Sequence, residues 1–91
     1  MNIRFSDQSV KDLKDFDAHE RVLIAKKIEY LAENFESLKT TKKVRELKGT
    51  AYDGQYCYMI ARKIRALFRI ENGEFLLLIL RVGKRKDVYD D

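Results

Sequence analysis

The chain of 91 residues has no proline, no tryptophan and a single cysteine. One cysteine cannot form an internal disulfide, so the fold must rest on an apolar core, and a reducing, cytoplasmic location is expected. No signal peptide is recognisable ahead of Arg4, and the longest apolar run, Phe75 to Leu80, is far shorter than the roughly 20 residues that a membrane-spanning helix needs. These absences predict a soluble protein with one domain, residues 1–91.

Several kinds of catalytic site have no counterpart in the sequence. No set of His, Cys, Asp and Glu has metal-ligand spacing, and there is neither a glycine-rich phosphate loop nor a serine nucleophile motif. Cys57 lies in an alternating strand with no neighbouring histidine, which indicates a core thiol. His19, the one histidine, is expected at an exposed helix start. Any chemistry is therefore expected to need no metal and no cofactor.

Positive charge is concentrated in the C-terminal part of the chain. Residues 1–36 hold six basic and eight acidic residues, whereas residues 37–91 hold thirteen basic and seven acidic ones, so the net charges are −2 and +6. Such a field favours binding to nucleic acid or to an acidic protein partner.

The N-terminal half predicts one strand and two helices. Asn2 to Phe5 alternates as a short strand does, and Ser6 can cap a helix with its apolar side at Val10, Leu13 and Phe16. Asp17 with Glu20 resembles a capping box, which would begin a second helix. Its buried face is expected to comprise Ile24, Ile28, Leu31 and Phe35, and residues 36–43 are expected to form a loop.

The C-terminal half predicts strands and tight turns. Asp53-Gly54 is a turn dipeptide, and Asn72-Gly73 between two apolar runs is a strong hairpin signal. We divide Gln55 to Ile70 into two strands with a turn near Ala61-Arg62-Lys63. The whole chain is then an α+β protein of the order β-α-α-β-β-β, with both helices on one face of a small, mostly antiparallel sheet.

The opposite face of that sheet is expected to carry cations. Lys63, Arg65 and Arg69 alternate with apolar residues in one strand. In the last strand we expect Leu76, Leu78, Leu80 and Val82 to face the helices, with Leu77, Ile79 and Arg81 on the other side. Leu67 and Leu77 would then be exposed among the cations.

A basic segment follows the last strand. Gly83-Lys84-Arg85-Lys86 precedes Val88-Tyr89, and cations beside an aromatic ring suit RNA, because the cations meet phosphates and the ring stacks on a base. The alternative is an ordinary solvated tail.

The same residues resemble a known family. The element order, Leu47-Lys48-Gly49 before the sheet, the run Leu80-Arg81-Val82-Gly83-Lys84-Arg85 and the closing Val88-Tyr89 look like the RelE/ParE superfamily of type II toxins, and closest to its RelE-type members. The resemblance implies a RelE-like fold, an endoribonuclease that cuts mRNA in the ribosomal A site, and a cognate antitoxin that blocks it.

The resemblance also implies site residues. Arg65, Arg85 and Tyr89 match the positions that carry the family's reaction, with Arg65 on the phosphate, Arg85 on the leaving-group side and Tyr89 stacking on a base. The family usually has lysines in the strand before Arg65, where this chain has Tyr56 and Tyr58. The general base is therefore open among Tyr56, Tyr58, Lys63 and Lys84, while the two tyrosines are equally well read as strand packing. The expected RNA-binding residues are Lys63, Arg81, Lys84, Lys86, Tyr56 and Tyr58.

Two alternatives remain at this point. A ParE-like member of the superfamily would inhibit DNA gyrase by binding, and a plain nucleic-acid-binding module would not be toxic at all. For either toxin we expect an antitoxin that places carboxylates near Arg65, Arg81 and Arg85.

Overall fold

The computed structural model describes residues 1–49, 51, 53–73 and 75–84. Two helices and five strands follow one another along the chain, and the strands form one sheet in the order β1-β5-β4-β3-β2. The strand β1 pairs parallel to β5, and the other pairs are antiparallel. This confirms the α+β class and the mostly antiparallel sheet. The elements are β1 (Asn2–Phe5), α1 (Asp7–Leu13), α2 (Ala18–Leu38), β2 (Val44–Glu46), β3 (Tyr56–Ala61), β4 (Ile64–Glu71) and β5 (Leu76–Lys84).

Both helices begin where local capping chemistry places them. The Ser6 side chain accepts a hydrogen bond from the Ser9 amide, and Asp17 with Glu20 forms a complete capping box. However, α2 runs to Leu38, into a stretch that was expected to be a loop. Leu38 is buried one turn after Phe35, so it extends the apolar stripe of the helix.

The two hairpins fall at the expected turns. Asn72 and Gly73 both have positive φ, 54° and 63°, as a two-residue hairpin turn requires. The chain also reverses at Arg62 and Lys63, between β3 and β4. An additional short strand, β2, pairs with β3 at one edge of the sheet and was not expected from the sequence.

The helices cover one face of the sheet, and this face holds the main core. Leu77 and Ile79 of β5 lie there, fully buried, together with Phe68 of β4. The expectation that Leu76, Leu78 and Leu80 face the helices is therefore wrong. Val82 does face the helices, because β5 carries a bulge: Phe68 pairs with Ile79 while Leu67 pairs with Arg81, so Leu80 is an extra residue.

A second, smaller apolar cluster lies on the other face, which we call the open face. Cys57 and Leu67 are buried there against Leu47 and Leu80. The core thiol is thus confirmed, whereas the expected exposure of Leu67 and Leu77 is wrong, since they are 3% and 0% exposed. Among the described residues, no helix is long and apolar enough to cross a membrane.

Candidate nucleic-acid interface

The pairing of β4 with β5 gathers cations at one end of the sheet. Ile64 pairs with Lys84 and Arg65 with Gly83, so the start of β4 lies beside the end of β5. Arg62 and Lys63 are exposed in the turn before β4, and Lys84 is exposed as well. We call Arg62, Lys63, Arg65 and Lys84 the basic end. Polyanions are attracted to such a concentration of like charge.

Arg65 is partly fixed by the turn that precedes it. Its Nη1 donates to the carbonyl oxygens of Ala61 at 2.7 Å and Arg62 at 2.9 Å, with a longer contact of 3.3 Å to Ile64. Within the described residues, Nε and Nη2 make no further hydrogen bond. The guanidinium is therefore held in place while two of its nitrogens remain able to bind an oxyanion.

Arg81 is bound to a buried carboxylate. It lies on the open face beside Leu67, and its Nε and Nη2 donate to Asp12 Oδ2 and Oδ1 at 2.9 and 3.3 Å. Burial alone would raise the pKa of Asp12. The hydrogen bonds from Arg81, the Val82 amide and Gln8, together with the charge of Arg81, outweigh burial and lower that pKa. The charge of Arg81 is thus compensated inside the protein, which weakens its expected role as an RNA ligand.

Tyr56 and Tyr58 face the helices and not the open face. The ring of Tyr56 stacks on Phe68, with centroids 5.3 Å apart, and meets the edge of Phe35 at the same distance. Tyr58 is only 2% exposed, and burial, with a smaller contribution from Tyr30, raises its pKa. A general base would need the opposite shift. Both residues pack in the core on the helix side of the sheet, which favours their interpretation as packing residues over the expected RNA-binding role and the open role as general base.

Sequence comparison identifies the family. The family described as "ParE toxin of type II toxin-antitoxin system, parDE" matches residues 3–89. The chain belongs to this toxin family. It is therefore a type II toxin of the RelE/ParE superfamily. A search of curated protein sequences gives no significant match.

Solved toxins share the fold of this toxin at low sequence identity. The YoeB/ParE toxin from Agrobacterium tumefaciens is 18% identical with a TM-score of 0.73, covering 93% of this chain and 99% of that one. A chain of the toxin-antitoxin complex RelBE2 from Mycobacterium tuberculosis is 20% identical with a TM-score of 0.68, and the match covers 92% of this chain and 96% of that one. A chain of the heterotetrameric YoeB-YefM complex from Staphylococcus aureus is 24% identical with a TM-score of 0.68, and the match covers 93% of this chain and 97% of that one.

Only some of the site residues predicted from the sequence lie together in the described part of the chain. Lys63, Arg65 and Lys84 lie at the basic end, and Arg81 is bound to Asp12. His19 is exposed, as expected. The expected site residues Arg85, Lys86 and Tyr89 lie outside the described residues.

Sequence reasoning missed Asp12 and the buried side of α1. Ser9 and Asp12 are buried, at 0% and 8% exposure, whereas Val10 is exposed and not on the apolar side as expected. The reason is that α1 meets the backbone edge of β5 with this side, and a strand edge needs polar partners. The sequence does contain an indication of this polar side, because Ser9 and Asp12 are three residues apart and so lie on the same face of the helix.

Proposed function

We propose that this toxin is a metal-independent endoribonuclease that cleaves mRNA in the A site of the ribosome. The observation that carries the proposal is the pairing of Arg65 with Gly83. Arg85 follows Gly83 by two residues in the sequence, so the chain enters its Arg85 segment beside Arg65. The start of β4, which carries Arg65, thus lies beside the end of β5, the strand that precedes Arg85 in the sequence.

The chemistry is an attack of the RNA on itself. A base takes the proton of a 2′-hydroxyl, the 2′-oxygen bonds to the neighbouring phosphorus, and the bond from phosphorus to the 5′-oxygen breaks as that oxygen receives a proton. Arg65 can hold the phosphate oxygens through Nε and Nη2, because its Nη1 is bound to the turn. Arg85 would serve the leaving group, and Tyr89 would stack on a base.

Two candidates for the base remain after Tyr56 and Tyr58 are assigned to the core. Lys63 and Lys84 are both exposed: Lys63 lies in the turn before β4, and Lys84 pairs with Ile64, the residue next to Arg65. Either amine could take the proton of a 2′-hydroxyl that lies within hydrogen-bond distance of it.

The partner in this proposal is a cognate antitoxin with carboxylates facing the basic end. The family is one of toxin-antitoxin systems, and two of the similar solved structures are complexes with an antitoxin. Exposed cations favour an acidic partner through charge complementarity. Arg65, Arg85 and the exposed lysines are the expected contacts, with ribosome and mRNA competing for the same surface.

The test is to add purified toxin to translating ribosomes and map the new mRNA 5′ ends. Cuts within the codon in the A site, absent when ribosomes are left out, are expected. Intact mRNA at toxin concentrations that arrest growth in cells would contradict the proposal. Growth that continues on induction without a partner would contradict toxicity itself.

A second candidate is inhibition of DNA gyrase by binding, and one observation favours it. The positions of β3 on the open face are Cys57 and Met59, with no cation among them, and Arg81 is compensated by Asp12. A surface with fewer free cations suits a protein partner better than RNA. Gyrase-dependent DNA breaks, with intact mRNA on ribosomes, would decide for this candidate.

A further inference from the structure

The edge of β5 is completed by side chains of α1. β1 ends at Phe5, which pairs with Ile79, while β5 continues to Lys84. Beyond that point the Ser6 hydroxyl donates to the Leu80 carbonyl at 2.8 Å, and the Val82 amide donates to Asp12 Oδ2 at 3.0 Å. Side chains of α1 and its N-cap therefore take the place of a neighbouring strand for the Leu80 carbonyl and the Val82 amide.

Asp12 is the centre of this arrangement. Its Oδ2 accepts from Arg81 Nε at 2.9 Å as well as from the Val82 amide, and its Oδ1 accepts from Gln8 Nε2 at 3.0 Å. The side chain is 8% exposed. A buried carboxylate with this many donors has one defined position, so it fixes two consecutive residues of β5 relative to α1.

Those two residues directly follow the bulge. The extra residue, Leu80, shifts the alternation of β5 by one, so that Arg81 and Gly83 lie on the open face while Val82 faces the helices. Without the bulge, position 83 would lie on the face of the sheet covered by the helices and not on the open face with Arg65, because successive residues of a strand alternate between the two faces. The bulge thus decides which face the residues at the basic end present.

We propose that Asp12 is a positioning residue for the proposed RNA site, holding the bulge in β5 so that the strand after it presents the same face as Arg65. This inference rests on the proposed nuclease function. Asp12 touches no substrate in this scheme. It acts through Arg81 and Val82 on the segment that leads to Arg85.

The test compares Asp12→Ala and Asp12→Asn with Asp15→Asn. Asp15 lies at the same cleft beside β5, but its carboxylate makes no hydrogen bond within the described residues, so its variant is a control for the loss of one negative charge. The conservative Asp12→Asn keeps the side-chain shape and is the variant of choice should Asp12→Ala not fold. Amide hydrogen exchange, growth arrest on induction and ribosomal cleavage are measured for each.

The expected result is local loosening with loss of activity. Exchange of the Val82 amide should accelerate while that of Ile28 in α2 stays slow, and kcat should fall on the order of 10²-fold for Asp12→Ala and on the order of 10-fold for Asp12→Asn with little change in KM, because misplaced groups lose transition-state contacts. Asp15→Asn should behave as the wild type.

Two outcomes would overturn the proposal. One is a folded Asp12 variant with wild-type growth arrest and cleavage, and the other is an unchanged rate of Val82 exchange. If the wild type arrests growth without cutting mRNA, the proposed nuclease function is wrong, but the positioning role of Asp12 can still be tested. Growth arrest, which reports either toxic activity, is then measured in place of cleavage. Loss of growth arrest in the Asp12 variants, together with faster exchange of the Val82 amide, supports the positioning role.

Discussion

Substitution of Arg65 tests the proposed site most directly. Arg65→Ala removes the guanidinium, while Arg65→Lys keeps a positive charge but loses the planar fork. If Arg65 stabilises the crowded phosphate of the transition state, the alanine variant should lose on the order of 10²-fold or more in cleavage rate. The lysine variant should fall between the alanine variant and the wild type, because an ammonium cannot bind two phosphate oxygens in the same geometry.

The same substitution has a separate, smaller effect on stability. Arg65 donates to the Ala61 and Arg62 carbonyls, which lie in a turn that water can reach after the side chain is removed. The loss in free energy of unfolding should therefore be about 1 kcal/mol, below the roughly 1.5–3 kcal/mol typical of hydrogen bonds from a charged group, because the site is open to water. In a domain of this size, that corresponds to a decrease in Tm of roughly 4–8 °C.

Arg69→Ala is the matched control. Arg69 lies on the same strand and the same face, and its Nη2 forms an ion pair of 2.7 Å with Glu71. Its loss should cost well under about 1 kcal/mol, as for other partly exposed ion pairs, and leave cleavage unchanged. Thermal unfolding, expression level and mRNA cleavage are measured side by side. A folded Arg65→Ala variant that is as toxic as the wild type at equal expression would remove Arg65 from the site.

Three further outcomes are expected. Tyr58→Phe should stay toxic and folded, because Tyr58 is a core residue; a folded but inactive variant, seen in the cleavage assay, would restore its hydroxyl as a base candidate. The wild type should be more stable than Asp12→Asn, and this difference in free energy of unfolding should be full above pH 3.8, the usual pKa of this carboxyl. The difference should shrink as the pH falls through the lower pKa that Asp12 has in the folded protein, and urea unfolding at several pH values measures it. Association with the antitoxin should slow as salt rises, since charge steering is screened beyond about 8–10 Å at physiological ionic strength, and stopped-flow rates independent of salt would contradict direct electrostatic contact.

Local chemistry made much of the fold predictable. The caps at Ser6 and Asp17 and the Asn72-Gly73 turn depend on residues within a few positions of one another, and all three occur as expected. The buried face of α2 was also predictable, because apolar residues spaced three and four positions apart in a long amphipathic helix lie on one face, and that face packs against the core.

The facing of β5 could not be predicted from the sequence. Leu76 to Leu80 is apolar at every position, so alternation gives no information about which residues face the helices. Each side of this strand has an apolar cluster to join, and the bulge at Leu80 then changes the alternation within the strand. Only the paired neighbours of β5 define both features.

The candidate site was predictable in part for the same reason. The hairpin between β4 and β5 implies that Arg65 lies near the end of β5, which the pairing with Gly83 confirms. The binding of Arg81 to Asp12 joins residues that are 69 positions apart, and no local pattern indicates it. Tyr56 and Tyr58 were ambiguous because aromatic residues are common on both faces of strands.

The parallel pairing of β1 with β5 has a consequence for synthesis of the protein. The first strand finds its partner only in the last described strand, and Ser6 and Leu80, which hydrogen-bond to each other, are separated by 74 positions. β5 also lies between β1 and β4, so β1 cannot join the sheet until β5 leaves the ribosome. Closing so long a loop precedes any gain from the contacts that it makes. A nascent chain that stops before β5 should therefore be harmless, and toxicity should appear only after β5 has been synthesised, when the antitoxin must already be present.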